Sequence, residues 1–160
     1  MHGFFNMVLR INVSQESYEL QMIPDDILQT RMGGKGLAAH LLLRHNPAGV
    51  DPLSPDNHLI FATGPVSGSP VWGSCRHGIF TKSPQTGFFS ESYSGGKAAE
   101  RMTPTGFDAV VITGKSPKPV YLWIHDGQFE LRDASHLWGK ITGEVQDTIR
   151  GELKDPKIRV

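Results

Sequence analysis

Polar and apolar residues alternate along the first part of the chain in a pattern that predicts two adjacent strands. Residues 7–13 (MVLRINV) and 17–23 (SYELQMI) both have a period of two, and a short polar segment separates them. This period places one side of a strand against a core. The short connection favours a hairpin. We therefore predict that the domain opens with an antiparallel β-hairpin.

Helical periodicity replaces this alternation between residues 24 and 45. The segment PDDILQTRM starts with a proline and two acidic residues, as many helices do. The segment GGKGLAAHLLLRH then predicts a second helix from about Lys35 to His45, whose apolar face carries Leu37, Leu41 and Leu42.

Short strands and turns dominate the rest of the pattern. Strands are predicted in HLIFAT, RHGIFTKS, GFFSESY, FDAVVITG, PVYLWIHD and QFELRD, with connecting turns at PQTG, KSPK and DG. GGKAAERM predicts a short helix, ASHLWG a helical turn and GEVQDTIRGEL a helix with Val145, Ile149 and Leu153 at a spacing of four. The final KIRV predicts the start of one more strand. About seven strands and four helices, with more hairpins than crossovers, favour an α+β fold.

Composition restricts the class of protein further. A chain of 160 residues suits one domain, or two small halves that share a core. Sixteen basic and sixteen acidic residues leave no net field, which disfavours nucleic acid and anionic membranes as partners. The lone Cys75 excludes an internal disulfide and a cysteine-only metal site. No secretory leader or membrane span is evident, so we expect a cytoplasmic protein.

Glycine and serine surround one arginine between residues 72 and 96, and this segment is the strongest candidate for a binding site. Arg76 is the first residue of the strand RHGIFTKS, and the neighbouring strand GFFSESY ends at the glycine pair of SYSGG. If the two strands pair, Arg76 comes beside the uncovered amides of Gly95 and Gly96. Arginine holds phosphate oxygens in a bidentate manner, and glycines allow close approach. The alternative is a surface arginine beside a tight turn.

Other candidate residues give weaker evidence of binding or catalysis. GGKG at 33–36 lacks the phosphate-loop spacing, so we favour a joint between helices, with Lys35 solvated. Cys75 is interpreted as a small packing residue, and Glu91 and Asp108 as carboxylates on strand surfaces rather than as acid–base residues. Trp72, Trp123 and Trp138 are assigned to the core or its rim. The seven histidines show no zinc-binding spacing, and we predict no catalytic residue.

A series of segments carries a resemblance to a known family: GGKGLAAHLLL, VDPLSPDNHLIFATGPVSGS, SCRHGIFTKSPQTGFF, SYSGG, GFDAVVITGKSPKPVYLWI and RDASHLWGK. In this order, and across essentially all 160 residues, the chain resembles the N-terminal domain of the tungsten-containing aldehyde ferredoxin oxidoreductases. The resemblance implies two packed, largely antiparallel β-sheets with flanking helices, forming the base on which the cofactor lies. It also implies that residues 1–160 are part of a longer chain.

The resemblance further implies a bis-pterin cofactor of tungsten or molybdenum, a bridging Mg²⁺ and a [4Fe–4S] cluster. Arg76 would contact the pterin cofactor, and Tyr93, Ser94, Gly95 and Gly96 would form a pterin loop, with the Tyr93 backbone carbonyl on Mg²⁺. The family commonly has Asn-Ser-Gly there, so Tyr93 is a departure. The cluster ligands and acid–base residues would lie in further C-terminal domains. One cysteine cannot hold a cluster that needs about four thiolates.

Partners implied by the resemblance are ferredoxin and a small aldehyde, which the whole enzyme would oxidise to a carboxylic acid. We expect the 160 residues alone to be inactive and to expose an apolar surface that favours self-association, including homo-oligomers. Two alternatives remain open. The chain is a stand-alone pterin- or phosphate-binding module or scaffold subunit without redox activity, or it is a degenerate homologue that has lost its cofactor.

Overall fold

The computed structural model of the protein describes residues 2–125 and 128–160. The chain forms two compact units, Met1–Lys115 and Ser116–Val160. The strands of the first unit are β1 (Met7–Asn12), β2 (Ser17–Met22), β3 (Leu59–Thr63), β4 (His77–Lys82), β5 (Phe89–Ser94) and β6 (Ala109–Thr113). Its helices are α1 (Asp25–Arg31), α2 (Gly34–His45), α3 (Lys97–Met102) and a 3₁₀ turn at Thr103–Thr105. The second unit contains β7 (Val120–His125), β8 (Gln128–Asp133) and α4 (Thr142–Leu153).

Six strands of the first unit form one mixed sheet in the order β2-β1-β6-β3-β4-β5. The predicted opening hairpin is confirmed, because β1 and β2 pair antiparallel from Met7 opposite Met22 to Asn12 opposite Ser17. The predicted β4–β5 hairpin is confirmed as well. Three pairings were not predicted from the sequence: β3 pairs antiparallel with both β4 and β6, and β1 and β6 run parallel, with Val8 opposite Ala109. This pair joins the start of the unit to its end.

Helices α1 and α2 supply the apolar cover for the sheet. Leu37, Ala38, Leu41 and Leu42 of α2 share one cluster of buried residues with side chains from four strands. The strand members of this cluster are Val8, Ile60, Ala62, Phe80, Ala109 and Val111. Alternation along each strand explains the set, since every second side chain faces the same side of a sheet. The leucine face predicted for the second helix is therefore confirmed.

The second unit has a small core of its own. β7 and β8 form an antiparallel pair, and α4 contributes Val145, Ile149 and Leu153, as its four-residue spacing predicts. These three side chains cluster with Ala134, Leu137 and Tyr121. The DG turn predicted at residues 126–127 lies outside the described residues. The α+β class with two sheets and flanking helices is confirmed.

Two predictions about the fold are wrong. KIRV forms no strand, because Asp155 begins a turn in which its carboxylate accepts the Lys157 N–H (2.8 Å) and its carbonyl accepts the Ile158 N–H (3.4 Å). Trp72 and Trp138 lie neither in the core nor at its rim, since these residues are 99% and 80% exposed. Within residues 2–125 and 128–160, no helix is both long and apolar enough to cross a bilayer.

Candidate functional site

Arg76 and Gly95 lie opposite each other where the β4–β5 hairpin opens. The strands pair in an unbroken register from Lys82 opposite Phe89 to His77 opposite Ser94. One further step along both strands brings Arg76 opposite Gly95. Because both residues leave the strands at the same edge, the sequence prediction that they converge is confirmed.

The Arg76 side chain lies across the Cα of Gly95. A methyl group at Gly95 would come within 3.8 Å of Arg76 Nε, 3.9 Å of Cδ and 4.0 Å of Cζ. Hydrogen bonds and ion pairs of the described residues include none to the Arg76 guanidinium. The side chain of this exposed arginine thus lies against the Gly95 backbone, which is a geometry that an anion with several oxygens can use.

The backbone of Arg76 is fixed by a buried serine that sequence reasoning missed. Ser67 Oγ donates to the Arg76 carbonyl (3.3 Å) and accepts from the Gly64 N–H (3.2 Å). Thr103 Oγ1 donates to the Ser67 carbonyl (3.1 Å). These bonds tie the β3–β4 loop to the end of α3. The serine-rich composition of the loop was the one sign of these hydrogen bonds in the sequence. It does not identify the partners of Ser67, because they are distant along the chain.

Tyr93 carries the only ring in the predicted loop Tyr93–Gly96, and its hydroxyl donates to Glu91 Oε2 (3.2 Å). Lys35 Nζ lies 2.8 Å from the same Glu91 oxygen and 3.0 Å from Oε1. Lys35 is therefore not simply solvated, as its place in a first helical turn suggested. Instead, it links the start of α2 to the exposed face of β5.

Protonation states within this group follow from the shared carboxylate. The Lys35 hydrogen bond, assisted by Tyr93, lowers the pKa of Glu91 below its usual range. Glu91 in turn raises the pKa of Lys35. Desolvation, followed by the bond to Glu91, raises the pKa of Tyr93. At neutral pH the pair is a carboxylate and an ammonium group beside a neutral phenol.

Ser94, Gly95 and Gly96 complete the predicted loop. Ser94 Oγ donates to the neighbouring Gly95 carbonyl (3.3 Å). Gly96 has a φ of +87° and precedes α3. Because α3 has only six residues, its dipole adds little. The site rests on Arg76 and the Gly95 backbone rather than on a helix terminus.

Asp108 is buried, which overturns its assignment to a strand surface. Its side chain accepts the Phe5 N–H (Oδ1, 3.1 Å) and the Met7 N–H (Oδ2, 3.3 Å). Burial raises the pKa of the Asp108 carboxyl, and these two backbone bonds oppose that rise. The residue fixes the N-terminal segment to the sheet, so its role is structural.

Asp108 also borders a cavity of about 240 Å³. Its other lining residues are Gly3, Phe4, Phe5, Thr63, Gly64, Pro65, Ser67 and Thr103. The Ser67 and Thr103 hydroxyls are already bonded within the chain. Cys75 is half-buried, and no three histidine, cysteine, aspartate or glutamate residues in the described ranges are grouped to hold a metal.

Sequence comparison assigns the chain to a family. The family profile described as the aldehyde ferredoxin oxidoreductase N-terminal domain matches residues 8–160. The chain belongs to the aldehyde ferredoxin oxidoreductase family. It is 39% identical over all its 160 residues to the tungsten-containing aldehyde ferredoxin oxidoreductase of Pyrococcus furiosus, and covers 26% of that protein. The resemblance inferred from the sequence is confirmed.

Two further relatives of this aldehyde ferredoxin oxidoreductase domain have names that point to different chemistry. An aliphatic sulfonate oxidoreductase, WOR-like subunit, of Pyrococcus furiosus is 29% identical over 158 residues, which are 97% of the chain and 25% of that subunit. The solved active-site complex BamBC of benzoyl coenzyme A reductase with 1,5-dienoyl-CoA superposes with a TM-score of 0.94 at 36% identity. That match covers 98% of this chain and 24% of the other. The chain thus spans about a quarter of the length of its relatives.

Proposed function

We propose that the chain is the cofactor-binding N-terminal domain of a longer oxidoreductase, which oxidises aldehydes to carboxylic acids with ferredoxin as electron acceptor. The cofactor is a bis-pterin of tungsten or molybdenum. The observation that carries the proposal is the Arg76 side chain, which lies across Gly95 without a protein counter-charge among the described residues. Tungsten-containing relatives that match the whole chain support this cofactor class.

The residues present fit the phosphate end of such a cofactor. Arg76 offers several donors in one plane, and Gly95 allows the ligand to approach the backbone without steric hindrance. The Tyr93 carbonyl would contribute an oxygen ligand to a bridging Mg²⁺, which prefers oxygen donors. Tyr93 in place of the asparagine common in the family is compatible with this role, because a backbone ligand does not depend on the side chain.

The bound cofactor would supply the two-electron oxidation, and the domain would supply orientation and charge. Arg76 offsets phosphate charge, and the Ser67 bond to its carbonyl fixes the point from which the side chain extends. The relatives support a division of labour. They are named for an aldehyde, an aliphatic sulfonate and benzoyl-CoA, yet all share this domain. A part common to such different substrates suits cofactor support better than substrate selection.

The remaining functions belong, in this proposal, to further C-terminal domains. These would hold the [4Fe–4S] cluster and the acid–base residues and bind ferredoxin, in a cytoplasmic enzyme. Residues 1–160 alone would be inactive.

Metal and pterin content of the complete gene product, purified without oxygen, tests the proposal. We expect about one tungsten or molybdenum, two pterins and four irons per chain. Arg76→Ala should lower metal and pterin content, whereas Arg31→Ala, which removes an exposed arginine of α1, should not. Pterin or phosphate without metal would favour a stand-alone binding module. Folded protein with neither, from a cofactor-competent host, would indicate a degenerate homologue.

A further inference from the structure

We propose that the Tyr93 ring is an aromatic platform beside Arg76, and that the two residues together select a planar heteroaromatic ring linked to a phosphate. The inference rests on the proposed function, because Arg76 is its anion-binding half. It gives the Tyr93 side chain a role that a backbone ligand to magnesium does not require.

The first observation is that the two side chains share one face of the hairpin. Tyr93 pairs with Gly78 and Ser94 with His77, and one further step on each strand brings Gly95 opposite Arg76. Residues two apart along a strand point to the same side, so Arg76 and Tyr93 are diagonal neighbours on one face of the hairpin, about 7–8 Å apart. Gly78 and Gly95 occupy the two other corners, and the tip of the Phe80 ring lies over Gly78, where a methyl group would come within 2.3 Å of Phe80 Cζ. That spacing suits a flat ring joined to a phosphate by a short linker.

The second observation is that the ring is held although it is half exposed. Its edge meets the buried Phe80 in a T-shaped contact, with 5.8 Å between ring centroids. Its hydroxyl donates to Glu91, which Lys35 holds at 2.8 Å. Half of the Tyr93 surface remains accessible, at 50%. A ring that is already ordered costs little additional entropy when a ligand stacks on it.

The third observation concerns charge. Lys35 is paired with Glu91, whereas the Arg76 guanidinium has no ion-pair partner among residues 2–125 and 128–160. An anionic group is therefore directed to Arg76 and not to the other end of the ring. The ligand orientation follows, with its phosphate at Gly95 and its ring over Tyr93.

Calorimetric titration of the 160-residue chain separates the two halves of the site. Pyrophosphate probes Arg76 alone, and 6-hydroxymethylpterin monophosphate and AMP probe the platform with two different rings. Tyr93→Leu should weaken binding of one or both ring ligands about tenfold, as loss of a stacking surface does, and leave pyrophosphate unchanged. Tyr93→Phe should bind all three as the wild type does. Arg76→Ala should weaken all three at least tenfold.

Leucine is chosen because it keeps apolar cover over Phe80, and equal melting temperatures would confirm that the variants fold alike. A loss for the pterin ester alone would support the platform and identify its ring as pterin. A loss for both esters would support it as a general surface for flat rings. Undiminished binding of both esters by Tyr93→Leu, with pyrophosphate still dependent on Arg76, would overturn this inference and leave the proposed function intact. No pyrophosphate binding by the wild type would overturn both.

Discussion

Gly78 lies in β4 beneath the tip of a buried ring, and it is opposite Tyr93. A methyl group there would come within 2.3 Å of Phe80 Cζ and 3.2 Å of Tyr93 Cε1. Phe80 is fully buried and belongs to the core cluster under α2. We therefore expect Gly78→Ala to destabilise the protein by about 1–3 kcal/mol, as overpacked cores do. Urea unfolding followed by circular dichroism would measure it.

Gly64→Ala is the matched control, since no heavy atom lies within 4 Å of a methyl group at that position. Its effect should stay within about 0.5 kcal/mol, as for ordinary surface changes. Equal stability of the two variants would show that Phe80 rotates away without cost.

Single residues differ in how far the sequence revealed them. Arg76 and Gly95 were predicted to meet because a short hairpin connects their strands and fixes the register. Ser67 was missed, and Asp108 was placed on the surface, because their partners are set by tertiary contacts. Asp108 binds residues about 100 positions away, and alternation alone does not distinguish a buried carboxylate from an exposed one.

At the scale of elements, Asp108 anchors the segment that leads into β1. Asp108→Ala would leave the Phe5 and Met7 N–H groups without their acceptor. We expect a loss of about 1–3 kcal/mol in unfolding free energy, because two partly buried donors lose their contact with a buried carboxylate together. Amide exchange at Phe5 and Met7 should also become faster. Asp51→Ala serves as control, because that exposed aspartate caps only the Leu53 N–H, and an equal loss there would refute the anchoring role.

His58 joins α2, β1 and the loop before β3 in a contact that depends on its neutral form. Its Nε2 lies 3.2 Å from Arg10 Nη2, its Nδ1 lies 3.1 Å from the Asp56 carbonyl, and its ring stacks on His45 at 6.1 Å. Burial, followed by the charge of Arg10, lowers the pKa of His58 from 6.5. The unfolded chain then binds more protons than the folded chain at acidic pH.

Stability should therefore be complete above about pH 6.5 and should fall as the pH decreases through the lowered folded-state pKa. Thermal melts between pH 5 and 8 would show this slope. The pKa values of His40, His45 and His77 are lowered too, so the difference between wild type and His58→Gln isolates one residue. Parallel pH profiles of the two proteins would exclude His58 as the source.

Elements were predicted better than their partners. All eight strands and four helices of the described residues correspond to segments whose periodicity predicted them. The parallel β1–β6 pair was not anticipated, because a strand pattern indicates which face is buried but not which strand lies alongside. Local hairpins are implied by a short turn. A pair separated by about 100 residues depends on the whole sheet.

At the scale of the whole molecule, one side of the sheet ends in exposed apolar side chains. Tyr18, Leu20 and Met22 of edge strand β2 are 62%, 52% and 73% exposed on one face. Exposed apolar groups on an edge strand favour association. We expect the 160-residue chain to self-associate and Leu20→Lys to shift it towards monomer in sedimentation velocity. Leu43→Lys on α2, at 86% exposure, should not; equal effects would remove β2 from the contact.

Family and fold class could be inferred from the order of segments along the chain, which is a property of the whole sequence. The residues that would bind the cofactor could not be inferred from the order of segments. A phosphate site of this kind consists mostly of backbone and empty space, and it leaves few side chains to recognise. Only Arg76 was recognisable from the sequence as a candidate ligand-binding side chain. Its assignment to the site depended on Gly95, which lies opposite it at the end of the adjacent strand.

The site lies where the β4–β5 hairpin opens, and β5 is the other edge strand of the six-stranded sheet, with residues that are almost all exposed. Edge strands open locally more often than central ones, and their amides exchange first. A ligand held by both β4 and β5 resists that opening by about 2.7 kcal/mol at a hundredfold excess over its dissociation constant. Hydrogen–deuterium exchange with pyrophosphate should therefore slow in β5 but not in β2, and equal slowing would argue against a local site. The ligand-free and ligand-bound proteins would then differ less in shape than in the time for which β5 stays paired with β4.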